Sequence, residues 1–505
     1  MNIHINKNSK TPIYRQIVNQ MRQKIISGEW TNGYPLPSER KLSEILEVNR
    51  TTVNKAYMEL KSDGFILSQT GKGTVVQGQI SKEMQNRDLF VPRLQWQQLL
   101  NHDIYKNDSS LIKKVMNSAN EKEMITLAGG FVNASLIDVD QIEKIMNLCF
   151  KKYGERLFCA SSVFGLYELR ELVASRMKQK GINAHINQVI ITSGSQQGLE
   201  YFTRSLIKPG DMVIVEEPSY LGAIEIFKAY GAQVVGIPID HEGMRVDILE
   251  KYLLKYRPKF IYTIPTYQNP SGVTLSIERR NQLLELAYLY RIPILEDDPY
   301  SDIVLEGPKM PALKALDRFG YVTYIGTISK NMFMGLRIGW VISDERLIEA
   351  FGSLKQISDL HTNTLGQYLL IELIKNKVLE AHMARLIPIY RHNKKLMVDT
   401  IKSYDVPEMA ITPSNGGFYI WCRLPQNLNM NEFVQKCSEY KVLIMPGEPF
   451  FAGGTVGENY IRINYSAPSD TEIIEGIKRL MHAINAAMKG TNPMEIHMQR
   501  NTPWV

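Results

Sequence analysis

Residues 322–339 read Val-Thr-Tyr-Ile-Gly-Thr-Ile-Ser-Lys-Asn-Met-Phe-Met-Gly-Leu-Arg-Ile-Gly. The opening residues have the β-branched and aromatic character of a buried strand. Lys330 follows at once, with the hydroxyls of Thr327 and Ser329 beside it and Arg337 shortly after. A lone lysine is ordinarily surface charge. A lysine just past a buried strand, among hydroxyls and ahead of a guanidinium fork, suits a site that grips an anion. Upstream, Ile190-Ile191-Thr192 runs into Gly194-Ser195-Gln196-Gln197 and then a helical pattern. There a strand feeds a helix N-terminus, whose free N–H groups and dipole favour phosphate. From about Thr126 onward, short Val/Ile-rich runs alternate with longer amphipathic ones, the pattern of an α/β fold.

Other chemistry-bearing residues share this zone. Asp297 ends the apolar run Ile292–Glu296, where open α/β sheets place ligand-binding groups, and Tyr300 follows closely. Asn269-Pro270-Ser271-Gly272 comes after the strand-like Phe260–Thr263 and reads otherwise as a plain turn. Tyr220 either stacks on a ligand ring or is a core tyrosine. Together these residues meet the needs of pyridoxal 5'-phosphate: an imine-forming lysine, a carboxylate on the ring nitrogen, donors to the phenolic oxygen, a phosphate cup and a stacking ring.

The amino-terminal part reads differently. Ile13, Ile17, Met21, Ile25 and Ile26 recur at helical spacing after Pro12, and Gly28 ends the run. Ser38 is placed to cap a short helix through Leu46, and Asn49 to cap a third helix. In that helix Val53, Ala56, Tyr57 and Leu60 form one buried face. Arg50, Thr51, Thr52, Asn54 and Lys55 lie opposite and suit phosphates and base edges. Phe65–Leu67 and Thr74–Val76, joined through Gly71-Lys72-Gly73, predict a two-stranded wing.

Residues 36–76, LPSERKLSEILEVNRTTVNKAYMELKSDGFILSQTGKGTVV, resemble the winged-helix head of GntR-family bacterial transcription regulators. The resemblance implies that Arg40, Arg50, Thr52 and Lys55 contact double-stranded DNA, with the wing tip near the minor groove. Ser38, Thr51 and Lys72 complete the expected DNA-binding set. The GSQQ, YQNPSG, EDDPY, TISK and GLRIG segments, in order over roughly residues 125–485, resemble fold-type I, class I aminotransferases. That resemblance makes Lys330 the aldimine lysine and Asp297 the partner of the pyridine nitrogen, the two catalytic residues. It places Asn269 and Tyr300 on the phenolic oxygen and Tyr220 on the ring. It assigns Ser195, Gln196, Thr327, Ser329 and Arg337 to the phosphate, and Arg462 to an effector carboxylate. Two departures point to altered substrate handling: Ala160 stands where such enzymes carry a tyrosine, and the 127–138 segment has Val132, Ala134 and Asp138 in place of prolines.

The joint pattern resembles the MocR subgroup of GntR regulators. It implies an α/β chain with a winged helix-turn-helix domain (1–78), a linker (79–122) and a fold-type I aminotransferase-like domain (123–490). That domain would hold a large, mostly parallel sheet and a smaller carboxyl-terminal α+β subdomain. The resemblance also implies a domain-swapped homodimer whose body senses an amino acid or amine by external aldimine formation at Lys330. Two alternatives stay open: a working transaminase with an accessory DNA-binding domain, and a regulator whose body is only a dimerisation scaffold.

Composition sets the limits. The 505 residues are 44% hydrophobic and 22% charged, ample for large cores. No apolar run reaches the ~20 residues of a membrane span. The start lacks a signal-peptide pattern, and the four cysteines form neither a C-x-x-C pair nor a disulfide framework. The expectation is a cytoplasmic protein without a metal site. Of the net charge of +7, residues 1–78 hold 11 Lys and Arg against 6 Asp and Glu. A basic head on a nearly neutral body suits a polyanion partner for the head.

Overall fold

Pro12 sits just before helix α1 (Ile13–Ile26), where its missing N–H costs nothing and its fixed φ suits the entry. The computed structural model describes residues 3–7, 9, 11–69, 73–77, 123–130, 132–332, 334–453, 457 and 459–488. The chain divides into two compact units, Met1–Asn101 and His102–Val505. The linker expected at 79–122 and the boundary expected near 490 lie outside the described residues, as does Lys72.

In the first unit α1 buries Ile17, Val18, Met21 and Ile25. Helix α2 (Glu39–Leu46) starts at Ser38, whose hydroxyl accepts from the Lys41 N–H at 3.3 Å. Helix α3 (Arg50–Ser62) starts at Asn49, which accepts from the Thr51 N–H. Val53, Ala56, Tyr57 and Leu60 are all buried, and the Tyr57 hydroxyl donates to the Pro37 carbonyl at 2.8 Å. The wing differs from the expectation. Strand β1 (Pro35–Leu36) pairs antiparallel with β3 (Gly73–Val76), which also pairs with β2 (Ile66–Gln69). The sheet therefore has three strands in the order β1-β3-β2. Proline masked the extra strand in the sequence; on an edge strand its missing donor is tolerated.

The second unit is built on an eight-stranded sheet. In chain order its strands are β5 (Val189–Thr192), β6 (Met212–Glu217), β7 (Gln233–Asp240), β8 (Gly243–Met244), β9 (Phe260–Thr263), β10 (Ile294–Asp298), β11 (Val322–Thr327) and β12 (Gly339–Ile342). The spatial order is β5-β12-β11-β10-β9-β6-β7-β8, with the pairs from β11 through β7 parallel and β12 antiparallel to both neighbours. Strands β5, β9, β10 and β11 are buried along their whole length, as expected of strands covered on both faces. The strand expected from Ile292 begins two residues later, and Asp297 stands at its carboxyl end as expected, with Asp298 its last residue.

A smaller antiparallel sheet follows, with strands β13 (Ala410–Ile411), β14 (Tyr419–Arg423), β16 (Met445–Pro446) and β17 (Tyr460–Asn464) in the order β13-β14-β17-β16. Strand β4 (Ile125–Thr126) pairs in parallel with β15 (Val442–Leu443). The chain then continues along this subdomain: the Leu127 N–H donates to the Leu443 carbonyl, and the Asn464 N–H to the Leu127 carbonyl. These bonds bring Ala128–Gly130 to the mouth of the large sheet. Among the described residues no helix is long and apolar enough to cross a membrane.

Candidate functional site

The carboxyl ends of β5, β9, β10 and β11 open on one cavity of about 690 Å³. Its walls include Ser195, Gln196, Tyr220, Asn269, Asp297, Tyr300, Thr327, Ser329, Lys330, Arg337 and Arg462. Residues far apart in the sequence thus meet at one place, because parallel strands end on the same edge of the sheet.

Asp297 is buried, and its Oδ2 accepts from the Tyr262 hydroxyl at 3.0 Å. Its Oδ1 is buried without a hydrogen-bond partner. Burial pushes the carboxyl up to about 7, against the pull of Tyr262. Such a group is incomplete by itself; a cationic N–H donor would complete it. Lys330 donates to the Gly130 carbonyl at 2.7 Å. Burial lowers its pKa, which favours the neutral, nucleophilic amine.

Ser195 and Gln196 open helix α4 (Ser195–Leu206). Its N-cap is Gly194 at φ 90°, so no cap side chain occupies the terminus, and Ser195 and Gln196 of the first turn line the cavity. A Cβ at position 194 would lie 2.6 Å from Arg337 Nη2, so only glycine lets that guanidinium approach. Arg337 also reaches the Ser193 carbonyl at 3.4 Å. Thr327 donates to Ser329 Oγ at 3.1 Å and accepts from the Ser329 N–H at 3.1 Å. The Tyr220 hydroxyl donates to Gln196 Oε1 at 3.2 Å, tying this tyrosine to the helix start.

Arg462, on β17, is 6% exposed. Its Nη1 donates to Asn269 Oδ1 at 2.9 Å and its Nη2 to the Ala128 carbonyl at 3.0 Å, while Nε is buried without a partner. The guanidinium carbon lies 4.1 Å from the Tyr419 ring centroid and 5.0 Å from that of Phe450. The Tyr300 hydroxyl donates to the Tyr419 hydroxyl at 3.2 Å. Tyr419 is a site residue that sequence reading missed. Burial opposes its ionisation, but Arg462, Lys330 and the Tyr300 bond together hold its pKa below the ordinary value. Tyr262 was missed as well. Neither position carries a local signal, since each reaches the site only through strand pairing.

In the first unit Arg40, Arg50, Thr51 and Lys55 are placed on α2 and α3, Ser38 is exposed at the start of α2, and Thr52 is half-buried on α3. The Lys55 ammonium lies 4.1 Å over the Tyr14 ring, a contact that holds it beside α1. Arg40 pairs with Glu44 at 3.3 Å.

The donor set fits pyridoxal 5'-phosphate. The orphaned Asp297 oxygen suits a ring N–H, the open α4 terminus with Arg337 suits a phosphate, and the buried Lys330 amine, its pKa lowered by desolvation, suits an aldehyde. The family described as aminotransferase class I and II matches residues 140–480, and the bacterial regulatory gntR family matches residues 13–76. The uncharacterized HTH-type transcriptional regulator YisV of Bacillus subtilis (strain 168) is 30% identical over 94% of this chain and 96% of its own length. The multiple substrate aminotransferase of Thermococcus profundus superposes with a TM-score of 0.74 at 32% identity, covering 79% of this chain and 100% of its own. LysN, the alpha-aminoadipate aminotransferase of Thermus thermophilus, was solved complexed with N-(5'-phosphopyridoxyl)-L-leucine. It superposes with a TM-score of 0.73 at 29% identity, over 79% of this chain and 100% of its own.

Head and body together define a DNA-binding transcription regulator with a fold-type I aminotransferase body whose cofactor is pyridoxal 5'-phosphate. The chain belongs to the gntR family of bacterial regulators, in the MocR subgroup that carries an aminotransferase class I and II body.

Proposed function

We propose that this regulator reads a primary amine or amino acid at Lys330 and converts its binding into a change of DNA affinity in the head. The carrying observation is that Lys330 and Arg462 line the same cavity, an amine with lowered pKa and a buried guanidinium with an unpartnered Nε. When bound, pyridoxal phosphate supplies an aldehyde carbon that exchanges one primary amine for another. Lys330 would hold the cofactor through its Nζ, and an effector's primary amine would compete for that attachment. Asp297 would hold the proton of the ring nitrogen, and Asn269 and Tyr300 would orient the phenolic oxygen. Tyr220 would lie against the ring, while Ser195, Gln196, Thr327, Ser329 and Arg337 would hold the phosphate. Arg462 would take an effector carboxylate with its planar fork. Attachment of the cofactor at Lys330 Nζ would take its donor from the Gly130 carbonyl and release of Lys330 would restore it, so occupancy of the site would bias the 123–130 segment.

Ser38, Arg40, Arg50, Thr51, Thr52, Lys55 and Lys72 would meet operator DNA, in a cytoplasmic, head-to-tail, domain-swapped homodimer. A working transaminase is the second reading. It is favoured by the Asp297–Tyr262 bond and by the Lys330 amine with its lowered pKa, groups that could hold and move a proton at the cofactor. Titrating amines and amino acids into the full-length protein, with the visible cofactor absorbance and promoter-DNA binding followed together, separates the readings. One compound that changes both supports sensing. Absorbance changes that leave DNA binding untouched, with steady keto-acid release, support the enzyme.

A further inference from the structure

Behind the helix terminus that faces the phosphate region lies an ion pair that the cavity does not reach. Helix α5 (Glu345–Ser358) carries Lys355, whose side chain is completely buried. Its ammonium donates to both oxygens of Asp359 at 2.9 Å and to Gln197 Oε1 at 3.0 Å. Asp359 Oδ2 also accepts from Ser193 Oγ at 3.0 Å and from Gln197 Nε2 at 2.9 Å. The loop is closed by Gln197 Oε1, which accepts from the Ser193 N–H at 2.9 Å. None of these four residues lines the cavity.

The 193–197 turn needs such support. Helix starts are usually held by a side-chain cap, but here the cap position is Gly194, which has none. Arg337 requires that glycine, so inside the turn only the Ser193 N–H bond to Gln197 Oε1 and the Thr192 hydroxyl bond to the Gly194 carbonyl hold it. Asp359 holds it from outside, gripping the residue before Gly194 and the third residue of α4. A carboxylate near a phosphate dianion would repel it; the buried Lys355 ammonium, in contact with both Asp359 oxygens, cancels that charge. Burying an ammonium is costly, and its partners account for its place.

We propose that Asp359 and Lys355 are positioning residues for the cofactor phosphate. They fix the Ser193–Gln197 turn so that the Ser195 and Gln196 N–H groups aim at the phosphate oxygens, and they keep the turn's surroundings electrically neutral. The inference rests on the pyridoxal phosphate cofactor and is independent of effector sensing.

The test compares pyridoxal phosphate with pyridoxal, which has the same ring and aldehyde but no phosphate. Dissociation constants for both are measured on the full-length protein from the visible band and the quenching of protein fluorescence. Asp359→Asn is expected to weaken pyridoxal phosphate roughly tenfold, the scale of one charge-assisted hydrogen bond, and pyridoxal by less than about twofold. Lys355→Met leaves Asp359 unpaired and is expected to weaken pyridoxal phosphate further, with partial rescue when Asp359→Asn is added. Ser193→Ala removes only one donor and is expected to act in the same direction, so the comparison stands even if Lys355→Met does not fold. Equal weakening of both ligands by Asp359→Asn and Ser193→Ala would mean a general structural role and overturn the proposal. So would unchanged binding of both.

Discussion

Replacing Asp297 by Asn tests whether the site is built around its cofactor. In the cofactor-free protein burial raises the Asp297 carboxyl from 3.8 to about 7. Between those values the unfolded chain has released its proton and the folded chain still holds it. Stability therefore falls as pH rises through this window and stays low above it. At ~1.4 kcal/mol per pH unit the full displacement corresponds to at most about 4 kcal/mol. Asparagine has no proton to lose, and its amide can keep an acceptor for the Tyr262 hydroxyl. Cofactor-free Asp297→Asn should therefore be more stable than the parent at pH 8, by up to about 4 kcal/mol, with the advantage largely gone near pH 4. Bound pyridoxal phosphate would offer the carboxylate a cationic N–H, so the ligand should stabilise the parent more than the variant at pH 8. Urea unfolding of the body at pH 4, 5 and 8, with and without cofactor, measures all of these terms. A variant no more stable than the parent at pH 8, or an advantage independent of pH, would refute the reasoning.

Three further outcomes are expected. Arg50→Ala should weaken operator binding and lower the slope of log affinity against log salt by about one, with the cofactor band unchanged; fluorescence anisotropy over a salt series reads this. Arg462→Lys keeps the charge but loses the planar fork, so the preference for an amino acid over its decarboxylated amine should fall ~10-fold or more in competition titrations. Gly130→Ala would place a Cβ 2.1 Å from the Tyr419 hydroxyl. The forced shift should cost roughly 1–3 kcal/mol in thermal unfolding of the body.

Much of the site was legible because its members carry unusual local surroundings. Lys330 follows a strand and stands among hydroxyls, and Gly194 precedes a helix in a way that suits an anion. The helical face of Val53, Ala56, Tyr57 and Leu60 was equally plain from spacing. Proline misled in both units, hiding the edge strand at Pro35 and advancing the expected start of the Asp297 strand. The residues that were missed share one property: each acts across a distance in sequence. Tyr262 reaches Asp297 over 35 positions, Tyr419 reaches Tyr300 over 119, and the Gly130 carbonyl reaches Lys330 over 200. Lys355 sits in an ordinary amphipathic helix and shows nothing of its burial.

The amino-acid sequence by itself determined the two kinds of unit and marked the helix expected to face DNA and the lysine, carboxylate and arginines expected to carry the chemistry. The elements follow from periodicity, capping and residue type, which act over a few neighbouring positions, and the expected roles from the motifs' resemblance to their families. Only the tertiary structure decided which groups are left without partners, which charges are buried, and which backbone carbonyls hold Lys330 and Arg462. Those properties belong to the strand order and packing, because desolvation and hydrogen-bond geometry exist only once distant segments share one edge of a sheet.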